Sequence, residues 1–400
     1  MSTISADDYF HRLHRTLSVL DDENIKIIRT MKAQGPRNLQ KIARASKIPY
    51  TTVYSRVTKL QSEGLLNTCI HPNFSKIGLS HGILFLTLFP GKEILAREAL
   101  RVPGYWLKIL RCIGEHNGYF VQVAVPSAHT RDYEEFLDQL VVRGVIRSFR
   151  VSWLGESRSP LPNFDFYNTK TKTWKFDWKG WLGLFKNQKK RSVLKLAEPS
   201  SVNYDKRDLI ILKELGKDAR TTLVSLAKML SISLPAAKYR FEGLMNKGLI
   251  EDYVISVLPY APEVSDLSEL RLDLRDEAAL KRAEEALTKI PFVLRYAVVK
   301  GLNSITVRVY LPCIELNNLF AFLSQLVNEA ILTSYSYSQL DFMTLQSSTF
   351  GYKDYNDGSG WFYDNRKYLD AVDNLLSNWT KGRLDSTPFQ IVPVGPMQLF

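Results

Sequence analysis

The chain has 400 residues, 24% charged and 45% hydrophobic, an ordinary balance for a folded protein that argues against global disorder. Its length calls for roughly two to four domains. Its 53 Lys and Arg and 41 Asp and Glu are unevenly placed: residues 1–200 hold 31 and 17, residues 201–400 hold 22 and 24, so a basic half suited to a polyanion adjoins a near-neutral half.

The first twenty residues carry Asp7, Asp8, Arg12 and Arg15 and no apolar stretch, so a secretory leader is not expected. Residues 9–20 read as an amphipathic helix with no counterpart in the second half. No run reaches the roughly 18 apolar residues of a membrane helix, so no membrane partner is expected. Cys69, Cys112 and Cys313 lie far apart without CxxC spacing. That fits a reducing, cytoplasmic setting and not a disulfide framework or a cysteine zinc site.

Residues 21–66 begin a pattern that returns without a gap at residues 205–250, with Asp21/Asp205, Leu39/Leu223, Arg56/Arg240 and Gly64/Gly248 among the identities. A capping Asp opens a first helix, which buries Ile25 and Ile28, or Leu209 and Leu212, at helical spacing. A second helix covers residues 39–46 or 223–230. A short turn, Lys47-Ile48-Pro49 or Ser231-Ile232-Ser233, leads to a third helix over 50–63 or 234–247. Pro49 has a fixed φ and no N–H, which suits a helix start, and Ser233 is a good cap. Gly64 and Gly248 sit where a left-handed stop is wanted, and a short apolar strand follows each. Each copy is therefore expected to be a winged helix-turn-helix.

The segments that follow also match. The first series is strand 82–89, helix 92–101, strands 105–113 and 119–125, helix 131–142 and strand 145–154. The second is 267–274, 277–289, 293–299, 305–311, 315–328 and 331–342. Strand assignments rest on alternation, as in Tyr119-Val121-Val123-Val125 and Ile305-Val307-Val309-Leu311. The order β-α-β-β-α-β describes a ferredoxin-like sandwich, whose open sheet needs a partner for its second face.

An aromatic extension ends each half: 164–185 with Trp174, Trp178 and Trp181, and 350–368 with Tyr352, Tyr355, Trp361, Phe362 and Tyr363. These read as hairpins capping the sandwiches, with a surface for stacking bases or a partner as the alternative. A basic connector with Lys189, Lys190 and Arg191 spans 186–195, and a Pro-containing tail spans 387–400. The expected class is α+β: head 1–80, sandwich 81–155, extension and linker 156–200, head 201–260, sandwich 261–345 and extension 346–400.

This layout resembles the leucine-responsive (Lrp/AsnC) transcription regulators. The specific piece is Val53-x-x-Arg56-Val57-x-x-Leu60-x-x-x-Gly64-Leu65, repeated as Ala237-x-x-Arg240-Phe241-x-x-Leu244-x-x-x-Gly248-Leu249. The resembling stretches make up roughly two-thirds of the chain, and tandem duplication departs from the usual single-copy members. The resemblance implies binding to double-stranded DNA and pairing of sandwiches. Here two sandwiches pair within one chain, giving two unlike heads, or two chains pair and present four. It also implies a small effector near a Gly-x-x-Asp turn. The corresponding turns, Gly114-Glu115-His116-Asn117-Gly118 and Gly301-Leu302-Asn303-Ser304, lack that Asp in register and read first as plain hairpin turns.

On the third helix Val53, Val57 and Leu60 form the buried stripe, while Thr51, Thr52, Ser55, Arg56 and Lys59 form a polar one. Short polar groups and cations are what a major groove admits. Tyr50 can reach a phosphate, and Lys59 meets one. Arg56 approaches guanine or makes an internal ion pair. Arg37, Lys41, Arg44 and Lys47 add salt-sensitive attraction. The second copy offers Lys238, Tyr239 and Arg240, and either reads DNA loosely or serves as a scaffold.

The rival classes are an enzyme, since a sirohaem decarboxylase family shares this fold, and an interaction scaffold. The six histidines form no HExxH-type spacing, and no Walker loop, GxGxxG or nucleophile elbow is present. His116 is the single catalytic candidate to test. No cofactor, metal site or catalytic residue is expected.

Overall fold

The computed structural model describes residues 19–186 and 202–382. The expected 9–20 helix (but for residues 19 and 20), the connector beyond residue 186 and the 387–400 tail lie outside them.

The first head consists of α1 (Asp22–Gln34), α2 (Leu39–Ser46) and α3 (Tyr50–Ser62). Asp21 caps α1, its carboxylate accepting the Asn24 amide at 2.7 Å. Ile27, Ile28, Ile42, Val53 and Val57 are fully buried between the three helices. Gly64, at φ 68°, turns the chain into β1 (Leu66–Pro72).

The first sandwich runs β2 (Leu79–Thr87), α4 (Glu93–Arg101), β3 (Trp106–Gly114), β4 (Gly118–Pro126), α5 (Thr130–Val142) and β5 (Ser148–Arg158). A hairpin of β6 (Tyr167–Asn168) and β7 (Thr173–Trp174) leads to α6 (Trp178–Lys186). The second half repeats this order. Its head is α7 (Lys206–Lys217), α8 (Leu223–Leu230) and α9 (Leu234–Asn246), followed by β8 (Ile250–Val257). Its sandwich is β9 (Ser265–Leu274), α10 (Glu277–Leu287), β10 (Val293–Val299), β11 (Ser304–Pro312), α11 (Leu316–Asn328) and β12 (Leu332–Ser347). Hairpin β13 (Tyr355–Asn356) and β14 (Gly360–Trp361) precedes α12 (Asn365–Thr380).

Each half has the antiparallel strand order of a ferredoxin-like sheet, β3-β4-β2-β5 and β10-β11-β9-β12. The two sheets then close on each other. β12 pairs with β3 (Leu340 opposite Cys112), and β5 pairs with β10 (Ala297 opposite Ser157), giving an eight-stranded barrel without free edges. β5 and β12 extend beyond their expected ends, to Arg158 and Ser347, because their outer residues pair with the opposite half. β5 also starts late, with Val145 and Ile146 buried ahead of the strand.

The strand after each head is paired with its counterpart, β1 with β8, Cys69 lying opposite Val254. The extensions cross over too. α6 packs on α10 and α11 of the second half, and α12 packs on α4 and α5 of the first. Trp178 and Trp181 meet the rings of Phe292 and Phe322, and Trp178 Nε1 donates to Glu315 at 2.9 Å. Trp361 Nε1 donates to the Ile77 carbonyl at 2.6 Å. Each extension thus caps the other half's sandwich, so the tryptophans are packing groups. Among the described residues no helix is long and apolar enough to cross a membrane.

Candidate nucleic-acid interface

α3 presents two faces set by its sequence. Val53, Val57 and Leu60 are buried against α1 and α2, which leaves Thr51, Ser55, Thr58 and Lys59 exposed on the far side. Thr51, Thr52, Ser55, Arg56 and Lys59 line one shallow groove, so the structure brings the expected polar stripe together, with Thr52 half-buried. Tyr50 is 46% exposed at the first helical position. Pro49 caps the helix without a side-chain hydrogen bond, so the cap residue leaves the first amides of α3 without a side-chain acceptor. Lys41, Arg44 and Lys47 are exposed on and after α2, beside this end.

Sequence reasoning passed over Tyr54. It is 52% exposed, one turn along from Tyr50, their rings 6.2 Å apart. The i, i+4 spacing of two tyrosines on a polar face was the available signal.

Three expected cations are engaged elsewhere. Arg56 faces its own head: its guanidinium donates to Asp21 at 2.7 Å and to Asn24 at 3.2 Å, and pairs with Glu23. Burial works against its charge, but these carboxylates more than offset it and hold the guanidinium above its ordinary value. Arg240 does the same in the second head, 2.8 Å from Asp205 and 2.8 Å from Asp208. Of the two readings open for Arg56, the internal ion pair is the observed one, and Arg240 follows it. Arg37 is not a flanking cation. It donates to the Ala219 carbonyl at 2.5 Å and lies 4.4 Å over the Phe241 ring, tying the first head to the second.

The second head is different in character. Tyr239 is 79% exposed, and Lys238 reaches Glu242 at 3.8 Å one turn away. Val224, Met229, Leu234 and Met245 are also exposed, so α8 and α9 present more large apolar groups than α2 and α3 do. Both heads are fixed to the β1–β8 ribbon. Lys32 pairs with Asp252 at 2.5 Å, and the Ala219 amide donates to the Thr68 carbonyl at 2.9 Å.

The two turns considered for an effector join β3 to β4 and β10 to β11. Gly114 has φ 139°, and a Cβ there would lie 2.6 Å from the Tyr337 carbonyl oxygen, so glycine is required by close approach of the backbone. Glu115 makes a bidentate pair with Arg150 at 2.8 and 2.6 Å. His116 stacks on Phe85 at 5.3 Å.

Two helix-turn-helix heads joined to paired α+β sandwiches define the class. Residues 204–251 match the family described as winged helix-turn-helix DNA-binding. The HTH-type transcriptional regulator LrpA of Pyrococcus abyssi is 38% identical over 97 residues, covering 24% of this chain and 68% of that protein. LrpA of Pyrococcus horikoshii gives the same figures. The chain belongs to the leucine-responsive (Lrp/AsnC) family of transcription regulators. Over 90% of its length the fold is similar to that of the siroheme decarboxylase NirDL, with a TM-score of 0.53 and 12% identity, the match covering 100% of that chain.

Proposed function

We propose that the chain reads duplex DNA through α3 of its first head. The observation that carries this is the exposed stripe of Thr51, Ser55 and Lys59, flanked by Tyr50 and half-buried Thr52, on a helix whose other face is locked into the head. Hydroxyls suit base edges and phosphates, and Lys59, Lys41, Arg44 and Lys47 supply the salt-sensitive part of the affinity. The second head, poor in exposed cations on α9 and rich in apolar groups, adds a protein-facing or loosely DNA-facing surface. The closed barrel makes one chain a covalent pseudo-dimer, which suits an asymmetric DNA site. In this reading the protein is a binding device and not an enzyme; its likeness to NirDL is one of fold.

The test is to map DNA fragments that co-purify with the chain, then repeat the mapping with Thr52, Ser55 and Lys59 changed to Ala. Occupancy should collapse. Occupancy retained by a folded triple variant would remove α3 as the reading helix.

A further inference from the structure

A cavity of about 520 Å³ lies between the barrel and the ribbon that carries the heads. On β2 and β4, Leu84 and Val121 face the core shared with α4 and α5, so residues of the other parity face the barrel interior. His81 on β2, Lys108 on β3 and Gln122 on β4 share that inward parity and line the cavity, as does Arg295 on β10. β1 adds His71, and α7 adds Leu212, Lys213 and Lys217. Phe74 and Phe350, their rings 6.3 Å apart, make an apolar wall, with Phe74 stacked on His81 at 5.3 Å.

Lys213 and Lys217 pair with Glu214 at 2.7 and 3.0 Å, whereas Arg295 has no such partner among the described residues. Arg308, paired in register with Arg295, is satisfied by Glu269 at 2.9 Å and covers the Phe120 ring. Arg295 donates to Ser157 Oγ at 2.8 Å and lies 3.4 Å from His81 Nε2. Among the described residues no carboxylate lies within ion-pair distance of it; Glu269 and Glu251 act on it only from further away. Burial lowers Lys108 to about 7, helped by the charge of Arg308. Burial and Arg295 keep His71 and His81 well below their ordinary values, so both imidazoles are neutral at pH 7. Holding a half-buried guanidinium against only neutral hydrogen-bond partners is unfavourable, and an anion entering the cavity relieves that cost. The volume falls within the ~300–1,000 Å³ of ligand pockets, and the mix of apolar walls with a few convergent polar groups is typical of them.

We infer that this cavity binds a small organic anion, with a carboxylate-type head group on Arg295 and Lys108 and a flat apolar body against Phe74 and Phe350. The occupant touches both halves of the barrel, the strand leaving the first head and the first helix of the second. Its use as an effector rests on the regulator reading above; its binding does not.

The test uses the full chain without DNA and two dyes of one skeleton, anilinonaphthalene sulfonate and its uncharged parent phenylnaphthylamine. The sulfonate should bind at one site per chain, about tenfold or more tighter than the parent. Arg295→Gln should weaken the sulfonate about tenfold and leave the parent unchanged. Gly216→Trp places an indole at the cavity wall, where an added Cβ meets nothing within 4 Å, and keeps Arg295 and Lys108. It should weaken both dyes, and it decides the matter if Arg295→Gln does not fold. Equal affinities for the two dyes, or a folded variant with unchanged sulfonate binding, would overturn the proposal. Loss of DNA binding by the α3 variant leaves this assay untouched, so the two readings fail separately.

Discussion

Arg240 Nη2 donates to Asp205 Oδ2 at 2.8 Å, tying the third helix of the second head to the cap of its first helix. Arg56 and Asp21 make the same link at 2.7 Å in the first head. The arginine common to both copies thus serves the head's architecture, which explains its presence in a second head whose exposed face has diverged. Arg240 also satisfies Asp208, whose side chain is only 9% exposed, so Arg240→Met should cost about 1–3 kcal/mol. Arg56→Met, at a more exposed pair, should cost about 1 kcal/mol or less. Urea unfolding measures both. Arg56→Met should also leave the salt slope of DNA binding unchanged; a slope lower by about one would make Arg56 a phosphate contact.

Lys59 and the pair Lys238 and Tyr239 separate the roles of the heads. Lys59→Ala should lower the salt slope by about one and weaken binding across sequences. A Lys238→Ala, Tyr239→Ala double variant should change DNA affinity by less than about threefold, because α9 offers few other exposed polar groups. Fluorescence anisotropy at two salt concentrations reads both. A larger loss in the double variant would make the second head a DNA reader in its own right.

How much was legible depended on range. Caps and periodicity are local, so Asp21, Gly64 and the Val53-Val57-Leu60 stripe placed the heads nearly to the residue. The βαββαβ order also followed from alternation. Partner choice was not legible: nothing in residues 66–72 says that they pair with 250–257, and nothing in Trp178 or Trp181 says that Phe292 lies beneath them. Arg56 shows the same limit within a site. Its spacing put it on the polar stripe, but a long flexible side chain at the edge of that stripe turns inward when carboxylates at Asp21 and Glu23 are in reach. The cavity cations were hidden for a related reason, since Lys108 and Arg295 come from strands of different halves that meet only after barrel closure.

Half-buried His71 and buried His81 give stability an acid-sensitive component. His71 and His81 are held well below 6.5, first by burial and then by Arg295. Below pH 6.5 the unfolded chain takes up protons at these positions that the folded chain refuses. Their contribution to stability therefore falls as pH drops from 6.5 toward 5, by up to about 1.4 kcal/mol per pH unit for each histidine, while Glu251, raised to about 7 by burial, works in the opposite direction over the same interval. Urea midpoints across this interval should fall more steeply in the wild type than in a His71→Gln, His81→Gln variant. Parallel curves would mean that other groups set the acid limit.

Trp181 tests the exchange of extensions between halves. It is 1% exposed, and its Nε1 has no hydrogen-bond partner among the described residues. Trp181→Ala removes a large buried ring and should cost about 3–5 kcal/mol. Trp181→Phe loses less volume and also removes an unsatisfied donor, so its cost should stay near 1 kcal/mol. Thermal unfolding orders the two, and equal costs would mean that the indole N–H is satisfied in solution.

Barrel closure sets an expectation for assembly. A ferredoxin-like sheet on its own leaves edge strands and one face that a second copy can cover. Here β3 is covered by β12 and β5 by β10, and the inner faces of the two sheets enclose one interior. The chain has already spent on itself the surfaces through which sandwiches of this kind pair. Light scattering with mass detection at micromolar concentration should therefore return one chain, 45.8 kDa, carrying two heads. Twice that mass would mean that a surface outside the barrel joins two chains and that four heads face the DNA.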